Sequence, residues 1–157
     1  MSKDKHQEKQ GRYERVLIQA QDLVTKARTP TSRMATVAAL LHHKMRGFFW
    51  TGFYLLEGDD LVVGPYQGPL ACSVLGRHRG VCWASVDQGE VMIVPDVKQF
   101  PGHIACDSRS KSEIVVPIRR PNGTIAGVLD VDSTELGRFD EADGVGLKPF
   151  ADLIYSA

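Results

Sequence analysis

Two runs rich in branched residues, Ser112 to Ile118 and Thr124 to Val131, flank the segment Arg119-Arg120-Pro121-Asn122-Gly123. An Asn-Gly pair between such runs predicts an antiparallel hairpin. This pair of strands constrains the chain more than any other feature, because alternation along a strand decides which side chains share a face. Asp130 and Asp132 flank Val131 and so point the same way, while Glu113 begins the partner strand. With a two-residue Asn122-Gly123 loop, or a four-residue loop from Pro121 to Thr124, Glu113 lies directly opposite Asp132 and three acids share a face. A three-residue loop with a bulge shifts the register by one and sends Glu113 to the other face, unless a second bulge restores it. Two carboxylates about 5 Å apart repel by roughly 3 kcal/mol at an effective dielectric near 20. A bound cation, a bound amine or a shared proton on an acid of raised pKa would offset that repulsion. The plainer alternative has Asp132 capping the loop at Ser133 and Glu113 in water.

The surrounding pattern predicts an α+β domain. From Tyr13 to about Arg28, Val16, Leu17, Ala20, Leu23, Val24 and Ala27 recur at helical spacing. A second helix is expected from a cap at Ser32, through Met34, Val37, Ala38, Leu41 and Met45, to Gly47. Phe48 to Leu56 and Leu61 to Tyr66 read as strands joined at Glu57-Gly58-Asp59-Asp60, and Val81 to Asp87 as a short helix. Val91 to Val94 reads as a strand, followed by a long loop from Pro95 to Ser112. A last helix is expected after Phe139, with Asp140 as its cap, although Gly144, Gly146 and Pro149 give it poor propensity, so packing must hold it. Helices at both ends of a mostly antiparallel sheet make one domain over residues 13–157, behind a polar tail over residues 1–12.

The 157 residues, 43% of them hydrophobic, are enough for one core. Nineteen basic and nineteen acidic side chains cancel, which argues against a nucleic-acid partner. The charged start from Met1 to Gln10 has no apolar run, so neither a signal peptide nor a membrane span is expected there, and a cytoplasmic location follows.

Three cysteines remain to be explained: Cys72, Cys82 and Cys106. An odd count without a signal peptide points to thiols that stay reduced, cycle or bind metal. His103 and Cys106 could join Cys72 and Cys82 in a Cys3His zinc shell, but structural zinc sites use cysteine pairs two to four residues apart, and this chain has none. No metal and no cofactor are therefore expected. Buried, inert thiols are the other alternative. Cys106 lies in the polar loop Gly102-His103-Ile104-Ala105-Cys106-Asp107, which favours reactivity. Trp50 and Tyr54 share a face of the first strand, as core or as a substrate wall.

The segments Trp50-Thr51-Gly52-Phe53-Tyr54, Gly64-Pro65-Tyr66-Gln67-Gly68, Arg79-Gly80-Val81-Cys82, Gly102 to Asp107, Ser112 to Pro117 and Gly127 to Ser133 resemble the free methionine-(R)-sulfoxide reductases, which are GAF-domain enzymes. The resemblance spans roughly residues 48 to 140. It implies a single GAF-like domain and a thiol-dependent reduction of free methionine-(R)-sulfoxide. By this similarity Cys106 is the catalytic cysteine, Cys72 the principal resolving cysteine and Cys82 an auxiliary one. Glu113, Asp130, Asp132, Trp50 and Tyr54 take the positions of the substrate pocket. A sulfenic acid on Cys106 and then a Cys72 to Cys106 disulfide are implied, with thioredoxin as the recycling dithiol. A homodimer is compatible with the resemblance. The chain departs from the family pattern at Trp83, where glycine is usual, and over Ser73 to His78. A GAF module that senses a small molecule without catalysis is the alternative reading.

Overall fold

The structure is a computed structural model that describes residues 3–103 and 106–156. Ile104 and Ala105 of the cysteine loop, and the first two residues of the expected tail, lie outside the described residues.

Helix α1 runs Lys3–Val24 and α2 runs Pro30–Lys44. Strands β1 (Trp50–Glu57) and β2 (Asp60–Gln67) form a hairpin, followed by the short β3 (Val74–Leu75) and helix α3 (Gly80–Gln88). Strand β4 (Met92–Val94) precedes a 3-10 turn at Val97–Gln99, then β5 (Ser112–Arg119), β6 (Ile125–Ser133) and helix α4 (Glu141–Asp152). The strands form one antiparallel sheet in the order β3-β2-β1-β6-β5-β4. Its architecture is the α+β arrangement that the sequence pattern predicts. Among the described residues no helix is long and apolar enough to cross a membrane.

Because side chains alternate along each strand, the sheet separates two apolar clusters. On one face Phe53, Ile114, Val116, Leu129 and Val131 pack with α1, α2 and α4 through residues such as Val16, Leu41, Leu147 and Phe150. On the other, Trp50, Tyr54, Val115 and Val128 pack with α3 through Val81, Cys82 and Trp83. Glu113, Asp130 and Asp132 lie on this second face.

Three local expectations are corrected. Helix α1 starts at Lys3, so residues 3–12 are helical turns rather than a tail, and it ends at Val24, short of Arg28. The early turns are anchored by Lys9, whose Nζ lies 2.9 Å from Asp143 and 3.3 Å from Asp140. Helix α2 is capped by Thr29, whose hydroxyl accepts from the Ser32 amide, with Pro30 in the first turn, so Ser32 is not the cap. Strand β3 was not expected, since two residues carry no readable period.

Helix α4 explains how packing overrides poor propensity. Asp140 caps it, and Asp143 completes a capping box. Asp143 is fully buried and accepts from Tyr13 Oη at 2.7 Å, and Arg138 Nη1 reaches it at 3.4 Å. Gly146 gives the Tyr13 ring its place, because a Cβ there would stand 2.3 Å from Tyr13 Cδ2. The glycine that weakens the isolated helix thus lets α1 and α4 approach.

The β5–β6 turn has three residues, Pro121, Asn122 and Gly123, closed by Arg120 N–H donating to Thr124 O and Gly123 N–H donating to Arg120 O, each at 2.8 Å. Arg119 pairs with Ile125, whereas Ile118 pairs with Gly127, so Ala126 is an extra residue in β6. This second irregularity cancels the shift from the turn. Glu113 therefore pairs with Asp132, by the compensated route and not by a two- or four-residue loop.

Candidate active site

The register of three strands brings the acids together. Glu113 faces Asp132 and Val115 faces Asp130 across β5 and β6, while Trp50 pairs with Asp132 and Gly52 with Asp130 across β1 and β6. Gly52 leaves the room that a side chain would fill, since a Cβ there would lie 2.3 Å from Tyr66 Cβ. Trp50 consequently stacks between Tyr54 and Tyr66, with ring centroids 5.6 and 5.2 Å away. Tyr66 backs the Trp50 ring, a role the sequence reading left unassigned, because its pairing opposite Gly52 depends on a register irregularity between Gly52 and Tyr54 that the hairpin turn alone does not give.

Helix α3 closes this floor from above. Its Cys82 thiol lies 4.0 Å from Glu113 Oε2 and is buried. Glu113 and Asp130 are only 6% and 4% exposed, too little for water to solvate their charges. Burial pushes the Glu113 carboxyl well above the usual carboxylate range, and the charges of Asp130 and Asp132 push it further. Asp132 is raised well above its ordinary value by burial and then by Asp130. Asp130 is also raised by burial, but hydrogen bonds from Glu113 and Cys82 pull it back. The arrangement is a buried acid cluster that holds protons at pH values where isolated carboxyls are ionised. Burial and the neighbouring acids raise the Cys82 thiol pKa as well, which keeps it protonated.

Above the acids, Cys72 and Cys106 form a disulfide across 34 residues of sequence, with their Cα atoms 5.5 Å apart. Cys106 is exposed and Cys72 half-buried. Tyr54 Oη donates to the Cys72 carbonyl at 3.2 Å, tying the sheet to the segment that carries Cys72. A pocket runs from Cys106 down to Glu113, Asp130 and Asp132, with Trp50, Tyr54 and Cys82 on its walls. Of the eight residues expected at the site, seven line this pocket, and Cys72 reaches it through its bond to Cys106. Trp83 does not line it; its ring is buried in the second apolar cluster, 4.4 Å from that of His78. His103 borders the pocket, but Cys72 and Cys106 are joined to each other, so of the Cys3His set only Cys82 keeps a free thiol in this state.

A clamp around the cysteine loop was not foreseen. Arg109 Nε and Nη2 donate to the two Asp107 oxygens at 3.0 and 2.7 Å, and its guanidinium lies 4.9 Å from the centre of the Phe49 ring. The Arg109 hydrogen bonds hold the Asp107 carboxyl down at about 2. The arginine thus offsets an acid immediately beside Cys106 and tethers the loop to the segment before β1. Two residues apart in a loop, these side chains left no periodic signal.

The chain matches the family model described as GAF domain over residues 27–157. It is 50% identical over 121 residues to the free methionine-R-sulfoxide reductase of Escherichia coli, covering 75% of this chain and 73% of that protein. GAF domain-containing protein A of Dictyostelium discoideum is 48% identical over 136 residues, 86% of this chain and 85% of its own. Among solved structures, the free methionine-R-sulfoxide reductase from Neisseria meningitidis in complex with its substrate superposes with a TM-score of 0.86 at 42% identity, covering 91% of this chain and 86% of that one.

Proposed function

Because this chain belongs to the GAF-domain family and, within it, to the free methionine-R-sulfoxide reductases, we propose that it reduces free methionine-(R)-sulfoxide to methionine through Cys106, with Cys72 resolving the oxidised thiol. The carrying observation is the Cys72–Cys106 bond at the mouth of a pocket floored by three acids whose carboxyls burial raises above the usual carboxylate range.

In this reading the Cys106 thiolate attacks the sulfoxide sulfur, and a protonated acid delivers a proton to the oxygen, which would otherwise leave as a very poor leaving group. Glu113 suits the donor role, since every influence on its carboxyl pushes it upward. The resulting hydroxyl then passes from the methionine sulfur to the Cys106 sulfur as the transient bond between the two sulfurs breaks, so methionine departs as the sulfide and Cys106 carries a sulfenic acid. The Cys72 thiol then condenses with that sulfenic acid, releasing water and leaving the disulfide. One sulfoxide and two thiols thus become one sulfide, one disulfide and one water. A dithiol such as thioredoxin restores both thiols by exchange through a mixed disulfide.

The same acids account for a preference for the free amino acid. Asp130, the least elevated of the three, carries negative charge most readily and can pair with the substrate ammonium. A methionine within a polypeptide has no such charge. Cys82 stays outside the redox cycle in this scheme, because its thiol is buried and held protonated.

Counting free thiols in the fully reduced protein before and after sulfoxide tests the proposal. A loss of two thiols per chain, absent in Cys106→Ser, is expected with the (R) epimer. Unchanged thiols with methionine sulfoxide, or a full loss in Cys106→Ser, would overturn it.

A further inference from the structure

Three buried side chains from three different elements converge beneath α3. Cys82, Glu113 and Asp130 each place a ligand atom, one sulfur and two carboxylate oxygens, within 4.8 Å of one another. The Asp130 Oδ1 atom is buried and has no hydrogen-bond donor, in a residue only 4% exposed. An unpaired acceptor of that kind is stabilised by a proton or by a cation.

The donor set selects the kind of cation. Calcium and magnesium take oxygen ligands, and a thiolate counts against them. Sulfur with two carboxylate oxygens suits a borderline or soft divalent ion. We propose that Cys82, Glu113 and Asp130 form a binding site for a thiophilic divalent cation of the zinc or cadmium type, whose occupancy shuts the pocket to substrate.

The geometry requires only side-chain adjustment. Zinc bonds of about 2.3 Å to sulfur and 2.0–2.2 Å to oxygen put tetrahedral ligand atoms roughly 3.5 Å apart. Cys82 and Glu113, at 4.0 Å, need to close by about 0.5 Å. A larger ion needs less. Entry is available, since all three residues line the pocket that opens at Cys106, and the fourth coordination position falls to a water or to Asp132 on the same lining.

Binding releases the thiol proton and any carboxyl protons to solvent. One dication then faces three anionic ligands, where the metal-free cluster must stay partly protonated. Such an ion removes the protons that sulfoxide reduction would use and occupies the position for the substrate ammonium. That exclusion rests on the function proposed above, whereas binding rests on the donor geometry alone.

The disulfide form permits a clean test, because Cys82 is then the one free thiol. Oxidised protein titrated with cadmium chloride should develop the ultraviolet sulfur-to-cadmium charge-transfer band, saturating at one ion per chain and displaced by zinc. Cys82→Ser should abolish the band. Glu113→Gln and Asp130→Asn should each weaken binding by more than about tenfold, the low end of what losing even an outer partner of a metal site costs. A missing band at one equivalent, or affinity unchanged in both carboxylate variants, would overturn the site. If Cys82→Ser does not fold, the two isosteric carboxylate variants decide the matter. Added methionine sulfoxide should displace the cadmium band; a band untouched at saturating sulfoxide would sink the exclusion of substrate. Failure of the thiol-loss assay with an intact cadmium band would count against the reductase reading and leave the cation site standing.

Discussion

Replacing Glu113 by glutamine separates the chemistry of the acid cluster from its cost to the fold. The amide keeps the shape of the carboxyl but can neither ionise nor act as an acid. Glu113 sits opposite Asp132 in the β5–β6 register and is 6% exposed. Opposed side chains on antiparallel strands stand about 5 Å apart, where two full charges repel by about 3 kcal/mol at an effective dielectric near 20. That figure sets the scale of the Glu113–Asp132 repulsion once both are ionised, and Asp130 adds to it. The Glu113 carboxyl titrates above its ordinary value when folded. Its stabilising contribution is therefore complete below the unfolded carboxylate range and is lost as pH rises through the elevated folded value. Wild-type stability should fall over that window, from about pH 4 upward. Glu113→Gln should show a shallower fall and be at least as stable as the wild type at alkaline pH, with a gain on the scale of about 3 kcal/mol. Activity should move the other way, with kcat/KM lower by about 10²- to 10⁴-fold if the group donates the proton. Urea denaturation of the oxidised proteins between pH 5 and 9, alongside steady-state kinetics, measures both. Parallel stability profiles in the two proteins, or a kcat/KM within a few-fold of the wild type, would refute the reasoning.

Two other outcomes follow from the geometry. Cys72→Ser should release about one methionine per chain in a burst and then stall without sustained dithiol-linked turnover, because attack by Cys106 precedes resolution; quenched-flow product counting reads this, and full steady-state activity would move resolution to Cys82. Gly146→Ala should lower stability by about 1–3 kcal/mol through overpacking, since its Cβ would meet the Tyr13 ring at 2.3 Å; thermal melts detect the loss, and an unchanged melting temperature would show that α1 shifts freely.

The residues themselves carried every strand except β3, the four helices apart from some of their ends, and the residue types that meet at the site. Asp130 and Asp132 share a face because the strand period is two, and that conclusion needs no neighbour. Asp140 reads as a cap from its place before Glu141 and Asp143, acids suited to a first helical turn, and it is one. The three cysteines and their acidic companions announced redox chemistry through residue type and resemblance. Tertiary structure alone decided the rest. Whether Glu113 joins the acids depended on Ala126, an extra residue that cancels the register shift of the turn and leaves no mark in the local pattern. The extent of α1 depended on Lys9 and Tyr13 finding Asp143, more than 130 residues away in the case of Lys9. The Arg109 clamp on Asp107 and Phe49 likewise needed the loop to be laid against the sheet. Periodicity and capping are short-range and survive in sequence, whereas compensating bulges, buried ion pairs and the meeting of Cys72 with Cys106 arise only when distant segments share one core.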